Sequence, residues 1–339
     1  INSIRASIVE VNEHKIRTRL SGNSGSCDMI NPLSSQSNDF HTLVRRNSYE
    51  PPPISASTGI SAPSDEEITN FTRFITYSSA SYCPNSKTWT CGQLCDIYGI
   101  ITVNSKYREI VITFRGTNID NNDFQNAIKD IEGWLVSYDY TSNSTPPKSC
   151  SPPNVCVHYG FYTSFLGFQT KIRNEITTLI NNEQYKDYEI IVTGHSYGAA
   201  LALFTALDIK QSFSGVTPYL YTYGAPRVGN SEFASFVNNN LNFTTRIVNQ
   251  ADSVPHIPDC CGYEQHQGEV WIANTAKNEV VKCSGNQNEH CSESVSFKDW
   301  IADFTLLFIN AIPFHRILFE SPDHYGPYWG IHIDESLCK

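Results

Sequence analysis

The 339-residue sequence lacks the features that would direct a chain into a membrane or onto nucleic acid. No run reaches the roughly 20 apolar residues that a bilayer span requires. Basic residues are in deficit, with 24 Lys and Arg against 34 Asp and Glu, so a basic surface for phosphate groups is not expected. The charged fraction is only 17% and the hydrophobic fraction is 40%, which excludes a disordered protein. The length fits one large globular domain or two smaller ones.

The sequence also lacks the paired CxxC and histidine-bearing clusters that are typical of zinc sites, so a metal site is not expected. It nevertheless contains eleven cysteines, and disulfides in an oxidising compartment are the better interpretation. Three glycosylation sequons, at Asn70, Asn143 and Asn242, agree with that environment. We therefore expect a secreted protein whose leader lay upstream of Ile1.

Residues 1–62 differ from the rest of the chain because they are rich in Ser and Asn and carry few aromatic residues. Their mildly basic composition contrasts with the acidic remainder, and Arg45-Arg46 is followed by Pro51-Pro52-Pro53. We interpret residues 1–62 as a pro-segment and linker, cleaved after Arg46, and residues 63–339 as the folded domain. The alternative is an N-terminal extension in which the arginine pair has no role.

Strand and helix patterns alternate along residues 63–339, which indicates an α/β fold with a largely parallel sheet. Ser64 and Glu67 form a capping box before a helix that buries Ile68, Phe71 and Ile75. A long helix is predicted over residues 160–182. The continuous apolar run at 188–193 is typical of a strand buried on both faces. Other predicted strands lie at 98–103, 109–114, 219–223, 245–249, 270–273 and 279–281.

One segment carries a recognisable catalytic pattern, Gly194-His195-Ser196-Tyr197-Gly198. It follows the apolar strand and precedes an alanine-rich helix, which is the context of a G-x-S-x-G nucleophile elbow. In that turn the serine hydroxyl is exposed at the carboxyl edge of the sheet, and a Cβ at either glycine would clash with the neighbouring turn. The helix N-terminus and the Tyr197 backbone N–H then favour a developing oxyanion.

A serine nucleophile needs a histidine base and a carboxylate that orients it, and in this architecture the chain order is Ser, acid, His. Asp252 follows a predicted strand and is the candidate acid, with Asp259 in the same loop as a competitor. His324 lies in a loop near the end of the chain and is the candidate base, with His332 in reserve.

These motifs, in this order, resemble the filamentous-fungal (class 3) triacylglycerol lipase family of α/β-hydrolases. The resemblance implies an α/β-hydrolase fold with helices on both faces and a helical lid, no cofactor, and a Ser196, Asp252 and His324 triad. It also implies that Thr117 and Tyr197 donate backbone N–H groups to the oxyanion. The motifs that carry it are Ser81-Tyr82-Cys83, residues 113–117, 157–161, 194–198, 223–230, 252–256 and 266–271, and Asp323-His324.

The resemblance also places a lid in residues 118–138, where Phe124, Ile128, Ile131 and Trp134 follow helical spacing. An ordinary surface helix would show the same pattern. The chain departs from the family at Asp120-Asn121-Asn122-Asp123, at Tyr197, and in a base loop lengthened at Gly326-Pro327. The implied disulfides are Cys83–Cys338, Cys91–Cys95, Cys150–Cys156 and Cys283–Cys291, which leaves Cys27, Cys260 and Cys261 unassigned.

The resulting hypothesis is a secreted, monomeric lipase that acts on acylglycerol esters at a lipid–water interface and is restrained by its own pro-segment. Feruloyl esterase, another carboxylesterase or phospholipase A1 on the same fold is the alternative. A non-catalytic lipid-binding protein fits the complete triad least well.

Overall fold

The protein, seen in a computed structural model that describes residues 54–83, 99–116, 135–139, 148–295 and 322–333, is built on an eight-stranded sheet and a smaller four-stranded one. The large sheet contains β1 (Ile60–Ser61), β2 (Gly99–Asn104), β3 (Glu109–Phe114), β6 (Glu189–His195), β7 (Tyr219–Tyr223), β9 (Thr244–Asn249), β11 (Glu269–Asn274) and β12 (Glu279–Cys283). The small sheet contains β4 (Leu135–Ser137), β5 (Cys156–His158), β8 (Gly229–Asn230) and β10 (Tyr263–Glu264).

The strand order of the large sheet is β1-β12-β11-β9-β7-β6-β3-β2. Its five central strands, β11 to β3, run parallel, while the pairings at both edges are antiparallel. The carboxyl ends of the parallel strands meet at one edge, where open α/β sheets bind their ligands. This arrangement confirms the predicted α/β fold.

Helices cover both faces of the large sheet. Successive side chains along its strands point to opposite faces, so apolar residues contribute to a core cluster on each face. Ile110 and Ile112 of β3 face one cluster, while Val111 faces the other. The Val111 face is covered by α1 (Asp65–Ala80), and the opposite face by α2 (Tyr159–Leu166), α3 (Gln169–Ile180) and α4 (Tyr197–Ser212). A further helix, α5 (Ser231–Asn240), follows β8 and was not predicted.

The capping box predicted at the start of α1 is confirmed. The Glu67 N–H donates to Ser64 Oγ at 3.2 Å, and the Ser64 N–H donates to Glu67 Oε2 at 2.8 Å. The described residues contain no helix with the length and apolarity needed to cross a bilayer.

The single helix predicted over residues 160–182 is wrong, because two helices, α2 and α3, occupy that segment. The break falls at Gly167 and Phe168. Glycine is a poor helix former, and the break lets the Phe168 ring turn into the core, where it is 2% exposed and packs against Phe165 and Phe114.

Residues 54–62, assigned to the linker from their composition, belong to the structured body. Ile60 is 4% exposed, and β1 pairs with the edge of the sheet at Cys283 and Lys282. A two-residue strand next to a Ser-rich stretch carries no periodicity that could mark it in the sequence.

Candidate active site

The predicted nucleophile, Ser196, lies at the junction of β6 and α4, at the carboxyl edge of the parallel strands. Its backbone has φ 57° and ψ −128°, a conformation that residues with a side chain rarely adopt. Such strain persists only where the surroundings enforce it, and it is common at functional sites. The N-terminus of the 16-residue helix α4 begins at the next residue, so its dipole favours negative charge there.

Close backbone packing explains the two glycines that flank the nucleophile. A Cβ on Gly194 would collide with the carbonyl of Gly198. A Cβ on Gly198 would lie 2.7 Å from the carbonyl oxygen of Arg115 at the end of β3. Both obstacles are backbone atoms, which cannot swing aside as a flexible side chain would. The predicted clash is therefore present, and the neighbouring strand contributes to it.

Asp252 and His324, the predicted acid and base, lie together although 72 positions separate them. His324 Nδ1 is 3.0 Å from Asp252 Oδ2 and 3.1 Å from Oδ1, and both side chains are fully buried. Because a carboxylate only accepts hydrogen bonds, Nδ1 carries the proton. His324 Nε2 then holds a lone pair, and it makes no hydrogen bond to any described residue. This tautomer is the one that a general base requires.

His324, the predicted base, is carried by a short 3-10 helix, Pro322–Tyr325, that is tied to the loop of Asp252. The Asp323 carboxylate accepts from Gln250 Nε2 at 2.9 Å and from the Ala251 N–H at 3.3 Å. Asn249 Nδ2 donates to the Asp323 carbonyl at 2.8 Å. Residues 249–252 thus hold both the acid and the neighbour of the base. No sequence motif marks Asn249 or Gln250 for this role.

His195, directly before the nucleophile, links the elbow to the backbone of the base. Its Nε2 is 2.7 Å from the His324 carbonyl oxygen, and its Nδ1 is 2.9 Å from the Tyr82 hydroxyl. The His195 and His324 rings pack with centroids 4.4 Å apart. Burial, with His324 nearby, holds the pKa of His195 well below its usual value, so the ring is neutral. Burial raises the pKa of Tyr82, whose hydroxyl therefore keeps its proton.

Asp259 and His332, the other candidates for acid and base, do not take part in this pair. The Asp259 side chain is 87% exposed and pairs with Arg227 at 2.9 Å. His332 is exposed, and its carbonyl accepts a hydrogen bond from Ser79 Oγ at 2.8 Å. Among the alternatives left open by the sequence, only Asp252 and His324 form a buried carboxylate–imidazole pair.

A second buried network lies behind the acid loop and centres on Glu293, which the sequence does not single out. His256 Nδ1 is 3.2 Å and Arg227 Nη2 is 3.1 Å from Glu293 Oε1. The hydrogen bond from His256 is the main cause that lowers the pKa of Glu293 to about 2, and the charges of His256 and Arg227 add to it. Glu293 is therefore ionised at neutral pH, where it anchors the segment that follows Asp252.

Tyr197, the predicted oxyanion residue next to the nucleophile, is anchored by its side chain to α2. Its hydroxyl lies 2.6 Å from Ser164 Oγ and 3.3 Å from the Gly160 carbonyl oxygen. Its ring meets the Phe161 ring edge-on at a centroid distance of 5.0 Å. These contacts hold in place the residue whose backbone N–H is predicted to face the oxyanion.

Thr117, the other predicted oxyanion residue, lies just outside the described residues. Gly116 before it is packed directly on the elbow. A Cβ on Gly116 would collide with the Tyr82 hydroxyl and would lie 2.7 Å from the His195 carbonyl oxygen and 3.0 Å from Ser196 Cβ. The chain that leads to Thr117 therefore passes beside the nucleophile.

Known proteins that share this sequence pattern are fungal lipases. The sequence model of the family described as Lipase (class 3) matches residues 111–261. A lipase from Rhizomucor miehei is 31% identical over 311 residues, which cover 84% of this chain and 74% of that protein. The chain belongs to the class 3 lipase family. Membership makes it a serine ester hydrolase with the α/β-hydrolase fold.

Solved structures of the family agree with this assignment. The Rhizomucor miehei triacylglyceride lipase gives a TM-score of 0.63 at 29% identity, covering 83% of this chain and 100% of that one. A Rhizomucor miehei lipase propeptide complex gives a TM-score of 0.62 at 28% identity, covering 91% of this chain and 92% of that one. A secreted mono- and diacylglycerol lipase, MDL3, from Malassezia globosa is 27% identical over 77% of this chain and 88% of that protein.

In this family member the structure contains the disulfides Cys150–Cys156 and Cys283–Cys291. Cys83 is also disulfide-bonded. The sulfurs of Cys260 and Cys261 lie 3.0 Å apart at an exposed position. Cys91, Cys95 and Cys338 lie outside the described residues, as do the predicted lid residues Phe124, Ile128, Ile131 and Trp134.

The three glycosylation sequons have different surroundings. Asn242 is exposed in the turn between α5 and β9. Asn70 is half-buried within α1, and its Oδ1 accepts a hydrogen bond from Arg73 Nη2 at 2.9 Å. Asn143 lies outside the described residues. Of the two described sequons, Asn242 is the one whose side chain is open to an enzyme.

Proposed function

We propose that this chain is a triacylglycerol lipase that cleaves acylglycerol esters through an acyl-serine intermediate at an oil–water interface. The observation that carries the proposal is the buried Asp252–His324 pair, with a 3.0 Å contact, at the sheet edge where the strained Ser196 elbow lies. Relatives named as lipases, and a solved triacylglyceride lipase with the same fold, support the substrate class.

In the proposed mechanism Ser196 Oγ attacks the ester carbonyl while His324 Nε2 takes its proton. Asp252 holds the His324 ring in the required tautomer and stabilises the imidazolium that forms. The backbone N–H groups of Tyr197 and Thr117 donate to the oxyanion, and one such donor contributes about 10²–10³ in kcat. His324 then protonates the departing alcohol, and water repeats the sequence to release the fatty acid. These steps need no cofactor.

The lid predicted at residues 118–138 is too long at its end, because Leu135–Ser137 pair with β5 in the small sheet and Tyr138 packs on the core. We assign the cover of the site to the part of that segment that precedes β4. The apolar side of that segment would face the site in water and turn toward oil at an interface. Because the chain carries a net charge of −10, attraction to anionic lipid cannot supply the binding energy. Contact with lipid then depends on buried apolar area, at about 25 cal/mol per Å².

We further propose that the enzyme is secreted, acts as a monomer and is restrained by residues 1–46 until cleavage after Arg46. A solved structure that matches 91% of this chain is a Rhizomucor miehei lipase propeptide complex, which supports a pro-segment that associates with the folded domain. Cleavage should raise the activity on emulsified triacylglycerol. Equal rates before and after cleavage would remove the inhibitory role and leave a role in folding.

Activity assays on purified wild type, Ser196→Ala and His324→Ala test the central proposal. Wild type should hydrolyse triolein, with a rate that rises steeply above the solubility limit of the substrate, and both variants should be inactive. Undiminished hydrolysis by Ser196→Ala would overturn the proposed mechanism. Higher rates on methyl ferulate or on phospholipid than on triolein would assign the site to a feruloyl esterase or a phospholipase A1 instead.

Two kinds of covalent feature remain, namely disulfides proposed from the family resemblance and glycosylation proposed from the sequons. We expect Cys83–Cys338 and Cys91–Cys95 disulfides beside the two described ones, and a glycan at Asn242. Peptide mapping without reductant, before and after deglycosylation, checks both. A bond between Cys83 and any cysteine other than Cys338 would contradict the assigned pairing.

A further inference from the structure

His195 is buried, precedes the proposed nucleophile and contacts the proposed base, but it takes no part in the proposed mechanism. It is fully buried, and both of its ring nitrogens have partners. A histidine retained only to fill space would not need two hydrogen bonds of 2.7 and 2.9 Å in opposite directions.

The partners of His195 admit one arrangement of protons. The His324 carbonyl can only accept, so His195 Nε2 carries the proton and donates to it. His195 Nδ1 then has a lone pair, and the Tyr82 hydroxyl, which keeps its proton, donates to it. The direction of this chain is therefore Tyr82 to His195 to the backbone of His324. Without the Tyr82 hydroxyl, His195 Nδ1 would be buried with no donor, and the ring would be held less firmly.

The base is attached to the rest of the site in two directions. Through Asp323, its 3-10 helix is tied to residues 249–251 beside the acid. Through its own carbonyl, it is tied to His195, the last residue of the strand that ends at the nucleophile. Tyr328, from the same loop as the base, donates a second hydrogen bond to that carbonyl at 3.1 Å. Among the described hydrogen bonds of this loop, the one from His195 alone leads to the nucleophile elbow.

We propose that His195 is a positioning residue whose Nε2–H holds the backbone of the base against the nucleophile elbow, and that the Tyr82 hydroxyl steadies the His195 ring by donating to Nδ1. The inference rests on the proposed function, since it assumes that His324 serves Ser196. A displacement of about 1 Å at reacting groups can cost about 10²-fold in rate. Loss of the His195 hydrogen bond is therefore expected to lower kcat and to leave substrate binding unchanged.

Three substitutions separate this role from simple packing. His195→Leu fills the space without a donor, and kcat should fall by about 30–100-fold. His195→Gln can place an amide N–H near the position of Nε2, so kcat should recover to within about 10-fold of wild type. Tyr82→Phe removes one hydroxyl, and kcat should fall by about 3–10-fold. In all three variants KM for a soluble p-nitrophenyl ester should change by less than about twofold, as expected when only transition-state interactions are lost.

Tyr162→Phe is the matched control, because Tyr162 is also buried and its hydroxyl donates to the Asp139 carbonyl at 2.7 Å, a hydrogen bond that involves neither His195 nor His324. It should lower the melting temperature and leave kcat unchanged. Steady-state kinetics and thermal melts are measured on all four variants with the full chain.

The outcomes are distinguishable. A folded His195→Leu with kcat within twofold of wild type overturns the inference. If that variant does not fold, an unchanged kcat in Tyr82→Phe overturns it, as does an equal loss in Tyr162→Phe. Activity that survives in Ser196→Ala or His324→Ala overturns the proposed function. If those two variants are inactive but His195→Leu keeps the kcat of wild type, the proposed function stands and only the inference about His195 is overturned.

Discussion

The proposed nucleophile and the proposed base are held by different kinds of interaction. Ser196 is placed by backbone geometry, in a turn between a buried strand and a helix that only glycine neighbours permit. His324 is placed by side-chain hydrogen bonds from residues far away in the sequence, among them His195 and Gln250, which binds the adjacent Asp323. The first kind of support is local and rigid, while the second is distributed and can be weakened one bond at a time.

Asp252→Asn should have the largest effect on activity. An amide can donate as well as accept, so it no longer fixes the His324 tautomer in which Nδ1 carries the proton. We expect kcat to fall by about 10⁴-fold, with a folded protein. The matched control is Asp259→Asn, which alters the exposed carboxylate paired with Arg227 and should leave kcat within about twofold. Comparable losses in both variants would show that Asp252 has no special relation to the base.

Gly198→Ala tests the backbone support of the nucleophile. The added Cβ would lie 2.7 Å from the Arg115 carbonyl oxygen, so we expect a loss of about 1–3 kcal/mol in unfolding free energy. Displacement of the elbow should lower kcat by about 10²-fold. Gly167→Ala is the control, since its Cβ would lie 3.3 Å from the Ser164 carbonyl oxygen and its φ is −61°. Denaturant unfolding should show little change there, and an unimpaired Gly198→Ala would contradict the packing argument.

Asp323→Asn tests the distributed support of the base. One carboxylate oxygen becomes an amide N–H that faces donors from Gln250 or Ala251, so one hydrogen bond is lost. We expect kcat to fall by about 10-fold, less than for Gly198→Ala, with KM unchanged. Glu183→Gln, at an exposed carboxylate paired with Lys186, is the control. A larger loss than in Gly198→Ala would reverse the order proposed for the two supports.

Glu293→Gln should have the smallest effect on activity and a pH-dependent effect on stability. The folded-state pKa of Glu293 is lowered to about 2, so the ionised group stabilises the fold fully above its unfolded value near 4.3. The stabilisation, at most about 3 kcal/mol, is lost as pH falls from there toward 2. Thermal melts should therefore separate wild type from the variant at pH 6 and converge near pH 2. A constant difference across this range would exclude the linkage.

The contrast between the two supports also explains how much the sequence predicts. The elbow, the capping box at Ser64 and the strands buried on both faces are local patterns, so each was located within a few residues. The pairing of Asp252 with His324 rather than His332 was predicted from chain order and family resemblance. The contacts of Asp323 and Glu293 depend on which loops meet after folding, and no periodicity or spacing encodes that.

The same reasoning accounts for the errors in the fold. The helix predicted over residues 160–182 has a nearly continuous apolar stripe, and periodicity cannot show that the chain turns at Gly167. The short strands β1, β8 and β10 have two residues each, too few for any alternation. They form because neighbouring strands offer backbone groups to pair with, namely β12 for β1, β5 for β8 and β8 for β10.

The pairing of β1 with β12 determines what proteolytic maturation would leave behind. Ile60 and Ser61 lie downstream of Arg45-Arg46, so a cut after Arg46 leaves this pairing intact. An uncovered sheet edge is a template for association with other chains. Trimming beyond Ser61 would expose the backbone of Lys282 and Cys283, and the shortened enzyme would then be expected to aggregate on storage while its catalytic residues remained unaltered.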